Sequence, residues 1–144
     1  MVNNESENSV FIFDLDDTLY SEFDYVCSAF RQISEYYIKL DQAIFQRMIS
    51  LFEQGQNVFE YLIENYPNVT NDKEYLLRIY RNHVPRISLN EEAKVFLHHI
   101  KVKKFKKGLL TDGRSVTQRN KLQSLGLSKY FDQIVISEEF GSEK

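Results

Sequence analysis

The chain has 144 residues, of which 42% are hydrophobic and 27% charged, and its net charge is −3. This length allows one domain with a real core, or a compact domain with a small insertion. The weak negative charge excludes a basic surface for nucleic acid or an anionic membrane. A single cysteine, Cys27, excludes an internal disulfide and fits a reducing, cytoplasmic environment. No stretch of sequence is apolar enough to cross a membrane.

The first predicted element is a strand that ends in acidic residues. Four apolar residues, Val10–Phe13, predict a strand buried on both faces. Asp14, Asp16 and Asp17 follow within four positions, and like charges this close oppose one another's ionisation. Open parallel sheets carry their chemistry at the carboxyl ends of their strands. The pattern therefore favours a functional site over the alternative, a solvated acidic turn.

A helical block follows this strand. Apolar residues recur at three- and four-residue steps and predict a helix from about Ser21 to Leu40. Asp41, Asn57 and Asn71 are candidate N-caps for three further helices. Residues 20–86 thus read as helices with a face rich in Phe and Tyr, for which packing between helices is the simplest role.

Alternating helices and strands fill the rest of the chain. Asn90 opens a helix, a strand is centred on Gly108–Thr111, and Ser115 with Gln118 opens the next helix. The last strand is Gln133–Ser137. This order predicts an α/β fold, in which a parallel sheet is joined by right-handed crossovers. The helical block is then an insertion between the first strand and the first crossover helix.

The segment Asp14-Leu15-Asp16-Asp17-Thr18 resembles the first motif, D-x-D-x-T, of the haloacid dehalogenase-like hydrolases in their phosphatase form. The resemblance implies that Asp14 is a nucleophile that forms an aspartyl-phosphate, and that Asp16 is the general acid and base. It also implies Mg²⁺ as cofactor, with Asp14 and Asp16 as ligands and Thr18 as a phosphate-binding residue. Dehalogenase members are expected to lack the second acid, so Asp16 favours phosphoryl transfer.

Two later segments resemble further motifs of the same family. Thr111 ends a strand, and a hydroxyl beside backbone N–H groups at a strand tip can bind phosphate, especially near a helix N-terminus. Thr111 and Asp112 resemble the second family motif and are expected to bind phosphate. Lys144 resembles the third motif, and its charge would offset that of Asp14 and the phosphate.

The resemblance implies a Rossmann-like core in two segments, 1–19 and 87–144, with a helical cap inserted at 20–86. A fourth motif, an acidic loop that completes the Mg²⁺ site, is not found, nor are the strands expected beyond the first strand. The core would then be incomplete on its C-terminal side, and Val10–Phe13 would have an unpaired edge that permits self-association. A fragment of a longer hydrolase, with low or no activity, is favoured over a natural short form.

The expected function is Mg²⁺-dependent hydrolysis of a small phosphate monoester, with a phosphorylated metabolite as partner and no nucleic acid or membrane. Two alternatives stay open. A phosphomutase would use the same two aspartates but transfer the phosphoryl group to a second sugar hydroxyl. A non-catalytic protein would use the open sheet edge to bind a partner.

Overall fold

The computed structural model describes residues 10–102 and 105–141 of the chain. Its strands are β1 (Val10–Phe13), β2 (Lys106–Thr111) and β3 (Gln133–Ile136). Its helices are α1 (Glu22–Ser34), α2 (Ile44–Glu53), α3 (Val58–Asn65), α4 (Lys73–Asn82), α5 (Glu91–Val102) and α6 (Ser115–Ser124), and a 3-10 turn covers Ser137–Phe140. None of the helices in these described ranges has the length and apolarity needed to cross a membrane.

The three strands form one parallel sheet in the order β1-β2-β3, which confirms the predicted α/β fold. The register places Phe13 opposite Leu109 and Thr111 opposite Ile136. The carboxyl ends of all three strands therefore lie at one edge of the sheet. The segments that follow them, which begin at Asp14, Asp112 and Ser137, leave the sheet at this edge.

One face of the sheet is packed and the other is exposed. Phe11 and Phe13 are half-buried and pack against three aromatic rings at centroid distances of 5.2–5.9 Å: Phe96, Phe105 and Phe131. On the opposite face Val10, Ile12 and Leu110 are 56%, 70% and 54% exposed. The prediction that β1 is buried on both faces is therefore wrong for the described residues, because only one face of this outer strand is packed.

The described chain divides into two compact units. One consists of Tyr25–Pro85, and the other of the described residues before and after it. The Tyr25–Pro85 unit is helical, and its buried core includes Phe30, Ile33, Met48 and Leu62. Many Phe and Tyr side chains of the unit pack against one another, as expected from their spacing, among them Phe30, Phe59 and Tyr80.

The first helix is shorter than the periodicity predicts, because α1 ends at Ser34 and not at Leu40. The hydroxyl of Ser34 bonds the carbonyl of Arg31 at 2.7 Å. Beyond it the N–H groups of Tyr36 and Tyr37 bond carbonyls three residues back, the pattern of tight turns and not of an α-helix. Apolar spacing continues through these turns, so spacing alone could not find the helix end.

Candidate functional site

The two candidate catalytic acids follow β1 with one apolar residue between them. Asp14 is exposed, and within residues 10–102 and 105–141 its side chain makes no hydrogen bond or ion pair. Leu15 is fully buried and anchors the segment. Asp16 is half-buried, so the two acids have different surroundings although they are two residues apart.

Both carboxylate oxygens of Asp16 accept hydrogen bonds. Oδ1 accepts from the hydroxyl of Tyr20 and, at 2.7 Å, from Nζ of Lys121. Oδ2 accepts from Nε2 of Gln118 at 2.8 Å. Gln118 and Lys121 are only 1% and 4% exposed. All three contacts are made by donor groups, so both oxygens act as acceptors here.

Gln118 also connects Asp16 with the end of β2. Its Nε2 lies 2.6 Å from Oγ1 of Thr111 and 2.9 Å from the carbonyl oxygen of Asp112. Thr111 is buried. One amide group therefore brings together Asp16, Thr111 and the backbone of Asp112. Nε2 has two hydrogens for three acceptors, so it shares them among Asp16, Thr111 and Asp112.

The start of α6 is capped from the segment after β3. The N–H of Ser115 donates to Oε2 of Glu138 at 2.7 Å, and the Ser115 hydroxyl donates to Oε1 of Glu139 at 2.5 Å. The helix begins at Ser115, as expected, but it is not capped by Ser115 and Gln118. The N-cap residue is Arg114, and the Gln118 side chain turns to the site instead of the helix N-terminus.

The loop after β2 is tied to the same segment. The side chain of Asp112 accepts from the hydroxyl of Ser137 at 2.5 Å, and the N–H of Gly113 donates to that hydroxyl oxygen at 3.0 Å. The Asp112 carboxylate thus has a structural partner. Its predicted phosphate contact would have to come from the backbone.

Thr18 is a predicted site residue that is not brought into this network within the described residues. Thr18 is exposed in the turn after Asp17, and its carbonyl accepts from Nδ2 of Asn90 at 3.3 Å. No hydrogen bond within the described ranges joins its side chain to Thr111. Lys144 lies outside the described residues.

The acids differ in how well they fit a divalent metal. Mg²⁺ takes oxygen ligands and commonly binds through one or two carboxylates plus water and substrate phosphate. The exposed carboxylate of Asp14 fits this role. The side chain of Asp16 already accepts from three donors, which leaves one further acceptor position, on Oδ2, for a metal. The part of the chain that the structure describes contains no cluster of three or more His, Cys, Asp or Glu side chains suited to a metal.

Glu22 is affected by the charges of this site. Desolvation of its carboxyl group, followed by the negative charge of Asp16, raises the pKa of Glu22 above its usual range, while the positive charge of Lys121 acts in the opposite direction.

Sequence reasoning missed Tyr20, Gln118 and Lys121 as site residues. Gln118 and Lys121 are three positions apart and therefore share one face of α6. That spacing alone does not separate a buried polar pair from a solvated one. The polar character of α6 gave no sign that this face is buried.

Comparison with known proteins places the chain in a family. The profile of the haloacid dehalogenase-like hydrolases matches residues 11–144. The glyceraldehyde 3-phosphate phosphatase of Methanocaldococcus jannaschii is 29% identical over 145 residues, which cover 92% of this chain and 64% of that protein. The chain thus spans less than two thirds of this relative.

Solved structures show the same fold. The HAD-hydrolase YfnB from Bacillus subtilis, bound to magnesium, matches with a TM-score of 0.61 and 22% identity, over 96% of this chain and 67% of that one. A Thermotoga maritima protein assigned as a β-phosphoglucomutase matches with a TM-score of 0.56 and 24% identity, over 94% and 64%. On the family match, which extends over nearly the whole sequence, the chain belongs to the haloacid dehalogenase-like hydrolases.

Proposed function

We propose that the chain is a Mg²⁺-dependent phosphatase that hydrolyses a small phosphate monoester through an aspartyl-phosphate on Asp14. The observation that carries this proposal is the link from Asp16 through Gln118 to Thr111, beside the exposed Asp14. The similarity to a glyceraldehyde 3-phosphate phosphatase supports a small phosphorylated metabolite as substrate. The single cysteine, Cys27, supports a cytoplasmic location.

In the first step an oxygen of Asp14 attacks phosphorus, and the bond between phosphorus and the substrate's alkoxy oxygen breaks. Asp16, in its protonated form, gives its proton to that leaving oxygen. The products are an alcohol and phosphorylated Asp14. The Thr111 hydroxyl, which already accepts from Gln118, donates its hydrogen to a phosphoryl oxygen and holds the group in place.

In the second step Asp16, now a carboxylate, removes a proton from water. The resulting hydroxide forms a bond to phosphorus, and the bond between phosphorus and Asp14 breaks. Inorganic phosphate leaves, Asp14 is restored, and Asp16 again carries a proton. Asp16 thereby acts first as a general acid and then as a general base.

We propose Asp14 as the ligand that this chain supplies to Mg²⁺. When bound, the metal supplies positive charge against the negative charges of the nucleophile and the phosphoryl group. The magnesium-bound state of the B. subtilis hydrolase supports this choice of ion. We also propose that the Tyr25–Pro85 unit is the helical cap that selects the substrate.

The test compares two neighbouring acids. Phosphate release from glyceraldehyde 3-phosphate and other small sugar phosphates is measured with and without Mg²⁺ for the natural chain, Asp14→Asn and Asp17→Asn. Hydroxylamine added during turnover converts an aspartyl-phosphate to a hydroxamate, which mass spectrometry locates. We expect loss of activity and of the hydroxamate in Asp14→Asn only. Full Mg²⁺-dependent activity of Asp14→Asn would refute the nucleophile assignment, and transfer to a sugar hydroxyl would assign a phosphomutase instead.

A second candidate is association of two copies through the sheet. Val10, Ile12 and Leu110 expose an apolar face beside the outer strand β1, and such surfaces mark interaction sites. Sedimentation velocity over a range of concentrations tests this. We expect Ile12→Thr to weaken association, while Val84→Thr, at a position that is 72% exposed in the other unit, leaves it unchanged. A monomer at all concentrations refutes this candidate.

A further inference from the structure

Lys121 occupies an unusual environment for a lysine. It is 4% exposed, and its ammonium nitrogen lies 2.7 Å from Oδ1 of Asp16. Lysine is almost never fully buried unless its charge is paired. Burial of this charge costs free energy, and apolar residues of similar volume often give a fold of equal stability. Stability alone therefore does not explain why this ion pair is present.

The contacts fix the orientation of the Asp16 carboxylate. Lys121 and Tyr20 donate to one oxygen, and Gln118 donates to the other. Donors on both oxygens restrict rotation of the carboxylate about its terminal bond. A general acid or base must lie within hydrogen-bond reach of the proton it transfers, so this restriction bears directly on catalysis.

We propose that Lys121 is a positioning residue for Asp16, and that Gln118 assists it by fixing the second oxygen. The inference rests on the proposed phosphatase function, in which Asp16 transfers protons to the leaving oxygen and from water. Lys121 acts through Asp16 and not on the phosphoryl group. Its role therefore disappears when Asp16 is no longer an acid.

This role predicts a dependence on the leaving group. An alkoxide such as that of glycerol 3-phosphate needs a proton as it leaves, whereas p-nitrophenolate leaves without one. The ratio kcat/KM reports the steps up to the first irreversible one, which here is formation of the aspartyl-phosphate. Loss of Asp16 positioning should therefore lower kcat/KM for the alkyl ester far more than for the aryl ester.

The experiment measures kcat/KM for glycerol 3-phosphate and p-nitrophenyl phosphate with Mg²⁺ present. General acid–base catalysis contributes about 10²–10⁴-fold, so we expect Lys121→Met to lower the value for glycerol 3-phosphate by about tenfold or more. The value for p-nitrophenyl phosphate should fall by less than about threefold, because this ester does not need the acid. Lys121→Arg, which keeps charge and donors, should restore part of the loss. Lys129→Met, at an exposed lysine beyond α6, is the matched control.

A double-mutant cycle separates action through Asp16 from action on the phosphate. In an Asp16→Asn background, Lys121→Met should change kcat/KM for glycerol 3-phosphate by less than about twofold, because coupled residues do not contribute additively. A further tenfold loss in that background, or equal losses for the two esters, would overturn the positioning role.

Two outcomes distinguish this inference from the proposed function. A natural chain that hydrolyses neither of these esters, nor glyceraldehyde 3-phosphate, refutes the phosphatase function and the positioning role with it. A natural chain that is active, with an alkyl-to-aryl ratio unchanged in Lys121→Met, refutes only the role of Lys121. Should Lys121→Met fail to fold by circular dichroism, Lys121→Gln replaces it, because its shorter side chain loses the 2.7 Å contact with Oδ1 but stays polar.

Discussion

Nζ of Lys121 lies 2.7 Å from Oδ1 of Asp16, although the two residues are 105 positions apart in the sequence. The side chain of Lys121 is 5% exposed and that of Asp16 is 23% exposed, so the two charges are desolvated to different degrees. This difference makes the cost of breaking the pair depend on which partner is removed.

We expect Asp16→Ala to destabilise the fold more than Lys121→Met. The alanine variant leaves a buried ammonium without its counter-charge, and loss of one partner from a buried pair costs about 3–5 kcal/mol. The methionine variant leaves a carboxylate that is partly solvated and keeps Tyr20 and Gln118 as donors, so its cost is about 1–3 kcal/mol. Urea unfolding at pH 7 measures both. The reverse order would contradict the assignment of Lys121 as the more buried charge.

Replacement of Gln118 by an apolar residue should lower the stability of the fold less than its replacement by an acid. Gln118→Met removes the donor shared by Asp16 and Thr111 and costs about 1–3 kcal/mol. Gln118→Glu also places a second carboxylate beside Asp16, so it should be the less stable variant at pH 8, with a smaller difference at pH 4.5. Chemical unfolding at the two pH values gives the comparison. Gln123→Glu, at an exposed position on the same helix, should change stability by less than about 0.5 kcal/mol.

Asp17 combines a left-handed backbone with a helix-capping contact. Its φ is 53°, and its Oδ1 accepts from the N–H of Glu22 at 2.8 Å, at the start of α1. Asp17→Ala should cost about 2 kcal/mol, since it loses the cap, worth about 1 kcal/mol, and strains the backbone. Asp17→Gly loses the cap but relieves the backbone, so its cost should be smaller. Thermal unfolding ranks the two, and equal costs would argue against backbone strain.

Asp41 should make the stability of the chain sensitive to acid. The hydroxyl of Tyr66, 2.8 Å from Oδ2 of Asp41, and then the N–H of Ala43, lower the pKa of Asp41 below its usual range. The folded state thus favours the carboxylate. Its contribution is present above the unfolded pKa of about 3.9 and is lost as pH falls through the lower folded value.

The measurement is urea unfolding between about pH 6 and pH 3, a window that brackets the unfolded pKa of Asp41. We expect Asp41→Asn and Tyr66→Phe to lose less stability across this window than the natural chain does. Glu64→Gln, which removes an exposed carboxylate without a hydrogen bond in the described residues, is the control. A slope unaltered by Asp41→Asn would contradict the prediction.

The main elements of the sheet could be read from the sequence. The apolar run Val10–Phe13 matches β1, and Gly108–Thr111 lies within β2. The exposure of one side of β1 was not evident from that run, because apolar residues at every position look the same whether one face or both are covered. The end of α1 was missed for the related reason that apolar spacing persists beyond Ser34.

Only some residues of the candidate site could be predicted from the sequence. Asp14 and Asp16 could be predicted because they directly follow a strand. Thr111 could be predicted because its hydroxyl lies at the end of the next strand. Gln118 and Lys121 do not stand out, since polar residues on a helix are usually solvated. Gln118 and Lys121 are buried through their contacts with Asp16, more than 100 positions earlier, and such tertiary contacts are not encoded by local pattern.

The pairing of β1 with β2 has a consequence for synthesis on the ribosome. β1 is made at residues 10–13, but its neighbour is not complete until Thr111, and Lys121 follows later still. At about 5–20 residues per second, the nascent strand waits at least about 5 s for a partner. The Tyr25–Pro85 unit is contiguous in sequence and has its own core, so it can fold during that interval. The apolar residues of β1 are therefore without their partner strand throughout that interval.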